Sequence, residues 1–310
     1  MACLQSAPGL VVEVFTLHGV LCIISALTLG FPQPVGPEPI PLRTFDAPLT
    51  EDQRVPRGNG PTSLAIIIPA YNEEEALPEA IEQARSYLEG RQIAGEVIVV
   101  DDGSTDRTLA VAEAAAEGDE LVRVVSYGEN RGKGHAVRQG VRHAATDTDA
   151  VVFLDADLAT PVKEVDGALK ALAEGADVVI GTRIHPEARI EQAQPLLRRV
   201  MGAGFRRLTR AMLGLRVSDI TCGFKVFERD AAGRIFDLAT IDGWAFDAEL
   251  LVIADRLGLR IAELPVRWCD SRDSRVRPLR NAAESWQQLR LIRRRMREGD
   301  YDPRDPEGTA

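Results

Sequence analysis

The sequence predicts an α/β fold built on a mostly parallel sheet with helices on both sides, and three observations carry that prediction. From Ser63 onward, β-type apolar runs alternate with segments of helical period. The runs Val97-Ile98-Val99-Val100 and Ala150-Val151-Val152-Phe153-Leu154 are apolar without interruption, as strands covered on both faces are. Each ends in a short acidic run, Asp101-Asp102-Gly103-Ser104-Thr105-Asp106 and Asp155-Ala156-Asp157, at the strand end where ligands of open α/β sheets bind.

The elements follow in order. Leu64-Ala65-Ile66-Ile67-Ile68 reads as a buried strand ending at Pro69, and a helix is predicted over Glu73 to Glu89 from the spacing of Leu77, Ile81, Ala84 and Leu88. Strand 97–100, helix 107–117, strand 121–126, helix 132–145, strand 150–154, helix 162–174 and strand 177–180 continue the series. Such alternation implies right-handed crossovers. Two later segments read as basic amphipathic helices. Gln194 to Arg216 carries Arg198, Arg199, Arg206, Arg207, Arg210 and Arg216 with no acid, beside Leu197, Val200, Met201, Phe205, Leu208, Met212 and Leu213. Asn281 to Arg297 sets Trp286, Leu289, Ile292 and Met296 beside Arg290, Arg293, Arg294, Arg295 and Arg297.

The first sixty residues differ in character. Val14 to Phe31 is a stretch of eighteen residues without formal charge, apart from a proton on His18, which reaches the lower length of a membrane-spanning helix. It lacks the basic start of a secretory signal. The competing readings are a packed helix or residues upstream of the functional start. If it spans, Arg43, Arg54 and Arg57 after it place the large domain on the cytoplasmic face. Prolines from Pro32 to Pro61 then mark a linker. The expected organisation is an anchor over 1–32, a linker over 33–61, an α/β domain over 62–278, and a basic helix with a disordered acidic tail over 279–310.

Composition narrows the functions. A net charge of −10 over 310 residues argues against general nucleic-acid binding. Cys3, Cys22, Cys222 and Cys269 form no CxxC pair, which excludes a zinc framework of the usual spacing and fits a reducing compartment. His135, His143 and His185 are scattered. No GxGxxG follows the first strand and no GxxxxGK[ST] is present, so dinucleotide and P-loop readings fail.

The strand-end turns hold the chemistry. Pro69-Ala70-Tyr71-Asn72-Glu73-Glu74-Glu75 offers backbone groups and a ring to a nucleobase, and Glu73 to a ribose or base edge; its plain reading is a turn with acids at a helix N-terminus. Asp101 and Asp102 precede a glycine turn in which Ser104 or Thr105 is placed to cap the next helix. Asp155 and Asp157, at spacing two, present two hard oxygen donors that suit Mg²⁺ or Mn²⁺ on a diphosphate, against the plain reading of a helix cap.

PAYNEEE, DDGSTD, NRGKGHAVRQG, DAD and GTR, in this order, resemble the family 2 glycosyltransferases, whose GT-A fold is Rossmann-like. The later DITCGFK, GWAFDAELL and IAELPVRW are most similar to the branch of dolichyl-phosphate β-glucosyltransferases and other polyprenyl-phosphate sugar synthases. The likeness runs over about residues 62–297. It implies that Pro69, Ala70, Tyr71 and Glu73, with Asp101 or Asp102, hold the nucleoside of a UDP-sugar donor. It places Lys133 and Ala156 near the donor, and gives the metal to Asp155 and Asp157. Arg183, with Arg198 or Arg199, is to face the phosphate of a polyprenyl phosphate acceptor. Ser274 and Arg275 stand where relatives carry Ser-Lys, in a loop expected to close on the pyrophosphate. Asp219, Asp247 and Glu249 are candidates for sugar contacts or an auxiliary base, or equally for salt bridges and caps. Mannosyl relatives carry Gln two residues after the second aspartate, where this chain has Ala159, which favours the glucosyl branch.

An anionic acceptor needs positioning and little deprotonation, so a single in-line displacement with inversion is expected. The basic helices are expected to lie on an anionic membrane surface, unless they are ordinary surface helices. The rivals are mannosyl transfer from GDP-mannose, transfer to a soluble acceptor, and a non-catalytic nucleotide-sugar-binding scaffold.

Overall fold

The computed structural model describes residues 60–192, 196–270 and 278–302. The expected anchor at 14–31, the proline-rich linker up to residue 59, Ser274, Arg275 and the tail beyond Asp302 lie outside the described residues.

The strands are Ser63–Ala70 (β1), Ala94–Asp101 (β2), Val122–Ser126 (β3), Ala150–Phe153 (β4), Val178–Thr182 (β5), Arg189–Gln192 (β6), Lys225–Glu228 (β7), Ile261–Pro265 (β8) and Arg267–Cys269 (β9). The helices are Leu77–Arg91 (α1), Thr108–Ala116 (α2), Lys133–His143 (α3), Val165–Ala173 (α4), Leu196–Leu213 (α5), Arg229–Leu238 (α6), Phe246–Arg256 (α7) and Pro278–Glu298 (α8). Seven strands form one sheet in the order β3-β2-β1-β4-β7-β5-β8, and β6 pairs with β9 apart from it. Every pairing in the large sheet is parallel except those of β7, which runs antiparallel to both β4 and β5. The sequence gives no sign of that reversal. The fold is the α/β, mostly parallel sheet flanked by helices that the strand-helix alternation predicts.

Both faces of the sheet are covered, so its central strands are apolar throughout. Ile67, Ile98, Val151 and Phe153 face one core with Val137 and Val141 of α3, Ile235 of α6 and Leu251 of α7. Ile66, Ile68, Val99 and Val152 face the other with Leu77, Ile81 and Leu88 of α1 and Val165 and Leu172 of α4. Burying each such side chain stabilises the fold by about 1.5–3 kcal/mol.

Two sequence expectations change here. The helix predicted from Glu73 begins at Leu77, because Pro78 fits only a first turn and the preceding residues fold into a turn instead. In α8 the apolar stripe faces inward: Leu289 and Ile292 are fully buried in the core cluster of α3 and α7, and Met296 packs against it. What the helix turns outward is Trp286 with Arg290, Arg293, Arg294 and Arg297. No helix among the described residues is long and apolar enough to cross a membrane.

Candidate active site

Register brings three turns to one edge. Ala70 pairs with Asp101 and Asp101 with Ser126, so the ends of β1, β2 and β3 form one row. Beyond it, Asn72 takes φ of 57°, a left-handed conformation that asparagine tolerates better than most residues. Its Oδ1 accepts from the backbone N–H of Thr105 (2.7 Å) and Asp106 (3.3 Å), while its own N–H donates to Ser104 Oγ (2.9 Å). The N–H of Glu73 donates to Thr108 Oγ1 at 2.7 Å. The first two motifs are therefore one laced unit. The expected cap from Ser104 or Thr105 is absent because Asn72 engages both residues, and Asp106 accepts from the N–H of Thr108 instead at 2.9 Å. Around this unit Ala70 is buried, Pro69 and Glu73 are half-buried, and the Tyr71 ring is exposed at 41%.

Asp101 and Asp102 are both buried, at 2% and 3% exposure. Asp101 accepts from Ser104 N–H (3.2 Å) and Ser126 Oγ (3.1 Å). Asp102 accepts from Tyr127 Oη (2.9 Å), Asn130 Nδ2 (3.0 Å), Arg131 N–H (2.8 Å) and Gly132 N–H (2.9 Å). Its two oxygens hold the 127–132 loop rather than facing open space. Burial and the Asp102 charge push the Tyr127 phenol far above its usual range, so it remains a donor. On its far side the loop meets residues 241–246. The Gly134 N–H donates to Asp242 O at 2.8 Å, and a Cβ at Gly132 (φ 103°) would lie 2.5 Å from that same oxygen. Arg138 and His135 pair with the Asp242 carboxylate.

This clamp aims Lys133 at Asp155. The two form an ion pair, with 27% and 34% side-chain exposure, and the ammonium lies 5.8 Å from the Phe246 ring. Burial pushes the Lys133 pKa down, but the charges of Asp155, Asp247 and Asp157 outweigh it, so the net shift is upward. Asp155 accepts from Leu158 N–H through its carbonyl (2.9 Å), and Asp157 Oδ1 accepts from Ala159 N–H (3.0 Å). Leu158, just after Asp157, has φ of 47°, a strained geometry for a branched residue. Ala156 is buried and Asp157 exposed. Gly223, just before β7, leaves room for the aspartate: a Cβ there would lie 1.9 Å from Asp155 Oδ2.

Across the sheet, Arg183 after β5 forms a fork on Asp219, Nε to Oδ2 at 2.7 Å and Nη2 to Oδ1 at 2.9 Å. The guanidinium also donates to Thr221 Oγ1 (3.0 Å) and lies 5.3 Å from the Trp268 ring. Burial pushes the Asp219 carboxyl up, and the bonds and charge of Arg183 more than reverse this, so it titrates below the usual range. Arg206 on α5 is half-buried and lies within electrostatic reach of Arg183 and Asp219. Asp219 thus holds the Arg183 fork and feels the charge of Arg206 as well. Arg199 is exposed on the same helix. Sequence reasoning missed Arg206; the available signal was the seven-residue step from Arg199, two helical turns along α5.

Asp247 and Glu249 have structural partners. Lys225 is fully buried and donates to Asp247 Oδ1 (2.5 Å) and to the carbonyls of Cys222 (2.7 Å) and Ile220 (3.2 Å). Glu249, also fully buried, accepts from the N–H groups of Thr240 (2.9 Å) and Ile241 (2.7 Å) and from Tyr301 Oη (2.7 Å).

The structure thus gathers Lys133, Asp155, Asp157, Asp247 and Arg183 at one strand edge, with Tyr71, Glu73 and the buried Asp101 and Asp102 alongside. Two carboxylates with hard oxygen donors fit a small divalent cation that takes its remaining ligands from water and phosphate. Among the described residues no group of three or more Asp, Glu, His or Cys forms a complete protein cage. The edge is suited to binding a diphosphate beside a second, separately held anion.

A model of glycosyl transferase family 2 matches residues 65–236. Dolichyl-phosphate beta-glucosyltransferase of Mus musculus is 36% identical over 77% of this chain and 77% of that protein. The Drosophila melanogaster protein of the same name is 36% identical over 81% of this chain and 78% of that one. Among solved structures, glucosyl-3-phosphoglycerate synthase from Mycobacterium tuberculosis in complex with UDP is 26% identical, with a TM-score of 0.54 over 80% of this chain and 83% of that one. The complex of that enzyme with Mn²⁺, UDP and phosphoglyceric acid is 25% identical, with a TM-score of 0.55 over 80% and 82%.

Proposed function

The chain belongs to glycosyl transferase family 2 and is a glycosyltransferase, and on that premise we propose that it moves glucose from UDP-glucose to a polyprenyl, dolichyl-type phosphate with inversion. The observation that carries the reading is the meeting of Asp155, Asp157 and Lys133 at the end of β4, with the Arg183, Arg206 and Asp219 cluster beside it. The names of the curated relatives support glucose and a dolichyl phosphate acceptor. The UDP and Mn²⁺ in the related synthase structure support a UDP-sugar and a divalent cation.

In this reading Asp155 and Asp157 hold Mg²⁺ or Mn²⁺. When bound, the cation neutralises charge developing on the departing diphosphate. Tyr71 and Glu73 flank the nucleoside, while Asp101 and Asp102 act from beneath by fixing the turn and the Lys133 loop. Lys133 contributes positive charge at the leaving group. Arg183 and Arg206, with Arg199 at the rim, seat the acceptor phosphate, and Asp219 fixes the Arg183 fork so that its orientation is set before the acceptor arrives. The phosphate is already anionic, so its oxygen attacks the anomeric carbon without a dedicated base. The bond to UDP breaks with its electron pair leaving on the diphosphate. Asp247 and Glu249 act by holding the floor of the site.

The exposed arginines of α5 and α8, with Met201 and Trp286 outward, support docking on the anionic cytoplasmic face of a membrane. Residues 14–31 supply an anchor in the same proposal, followed by the linker and the catalytic domain over 62–278.

The test is a donor panel of UDP-glucose, UDP-galactose, UDP-GlcNAc and GDP-mannose against a short polyprenyl phosphate, with Mg²⁺, Mn²⁺ and excess EDTA compared. Transfer from UDP-glucose that stops with EDTA is the expected result. Transfer restricted to GDP-mannose, or to a water-soluble phosphorylated acceptor, would overturn the substrate assignment. Cosedimentation with phosphatidylserine vesicles that weakens with salt tests the membrane surface.

A further inference from the structure

The ammonium of Lys133 rests on the carboxylate that the proposed function gives to a divalent cation. Its backbone has little freedom to retreat. The Asp102 carboxylate holds the N–H groups of Arg131 and Gly132 from one side, and Asp242 O accepts from Gly134 N–H on the other. A side chain at Gly132 or Gly134 would come within 2.5 Å of a backbone oxygen of the 241–242 segment, so the loop lies directly on that segment. The side chain alone can swing, since its tip is 27% exposed and lies over the Phe246 ring.

Where it can swing to is also limited. Asp247, the other carboxylate at the floor, is already engaged by the fully buried Lys225, at 2.5 Å. A cation arriving alone at Asp155 would displace Lys133 from its ion pair and place a second positive charge beside it. A diphosphate arriving with the cation gives the ammonium a new anion.

We propose that Lys133 is a resident counter-ion of Asp155 that competes with the divalent cation and is drawn off by the nucleotide's diphosphate, making cation and nucleotide bind cooperatively. By linkage, the factor by which the nucleotide raises cation affinity equals the factor by which the cation raises nucleotide affinity. Lys133 contributes to that factor by weakening cation binding in the absence of nucleotide. The proposal rests on the assignment of Asp155 as a metal ligand and of a nucleoside diphosphate as the leaving group.

The experiment uses the full chain without acceptor, so that binding is read rather than turnover. Mn²⁺ affinity is measured from the free-ion electron paramagnetic resonance signal, with and without saturating UDP, for wild type, Lys133→Met, Lys133→Arg and Asp155→Asn. Lys133→Met is expected to bind Mn²⁺ alone about tenfold more tightly than wild type, and its gain in affinity from UDP to shrink by about the same factor. Lys133→Arg, which keeps the charge, is expected to stay near wild type. Lys133→Met binding Mn²⁺ alone no more tightly than wild type, or keeping the full gain from UDP, would overturn the proposal. Asp155→Asn separates the two readings: unchanged Mn²⁺ affinity there would remove the metal assignment itself. Lys133→Gln is read in the same way should the Met variant lose the wild-type circular dichroism spectrum.

Discussion

Around the site, the two halves of the sheet hold their main polar side chains by different means. On the β1 to β3 side, carboxylates and an amide close turns by accepting backbone N–H bonds, as Asn72 does for residues 105 and 106 and Asp102 for residues 131 and 132. On the β5, β7 and β8 side, side chains pair with side chains across the fold, Arg183 with Asp219 and Lys225 with Asp247. Asp219 and Lys225 are fully buried. The difference teaches where each half is fragile. Loss of a turn acceptor loosens one loop, whereas loss of one member of a buried pair strands a charge in a low-dielectric interior.

The strongest way to break the comparison is at its seam, Asp157. Asp157→Asn should lower kcat by about a thousandfold while the melting temperature barely moves, because the side chain is exposed. A steady-state assay beside a thermal melt checks both. Asp247→Asn comes next and should act on the fold, destabilising it by about 3 kcal/mol in urea unfolding, since the fully buried Lys225 keeps only neutral oxygens, the amide and two carbonyls, and loses its counter-charge. The double variant Lys225→Met with Asp247→Leu should regain part of that loss. Equal losses in single and double variants would show that the charges are not what matters.

Asp219→Asn should cost about 2 kcal/mol near neutral pH. Its folded pKa lies below the usual 3.8, so the stability it contributes is present above that value and disappears as the pH falls through the folded pKa. The difference between wild type and variant, measured by urea unfolding at a series of pH values, should therefore close in acid below about 3.8 and stay constant above it. On the turn side, Asn72→Ala should cost about 1–2 kcal/mol and Asn72→Gly less, because glycine keeps the left-handed backbone and loses only the acceptor. The smallest effect is expected from Tyr71→Ala. Unfolding stability should stay within about 0.5 kcal/mol, with UDP affinity falling about fivefold by calorimetry.

The same contrast explains what could be read from sequence. Strands β1, β2 and β4 are continuous β-branched and apolar runs, and their turns are contiguous motifs, so both the sheet and the Asp155-Ala156-Asp157 corner were legible. The helix start at Leu77 was misplaced because the acids Glu73 to Glu75 read as a helix N-terminus, while Pro78 carries the true boundary. Strand β7 is four residues inside the DITCGFKVFE stretch, too short for a periodicity, and its direction is set by neighbours far along the chain. Asp247 and Glu249 read equally from sequence as chemistry or as salt bridges and caps, and the burial and partners that support the second reading are not visible there. Arg206 was hidden among five arginines whose facing depends on how α5 packs.

The reversed strand has one more consequence. Because β7 runs against β5, the chain leaves the sheet at Thr182 and returns at Lys225 on adjacent strands, with the Gly181 N–H bonded to Phe224 O at 2.9 Å. Between them lie Arg183, β6, α5, Arg206 and Asp219, an excursion whose two ends meet in a single rung of the ladder and whose β6 is tied to β9. A change of sequence within the excursion is therefore felt first at β9, through β6, and at Asp155, through Gly223.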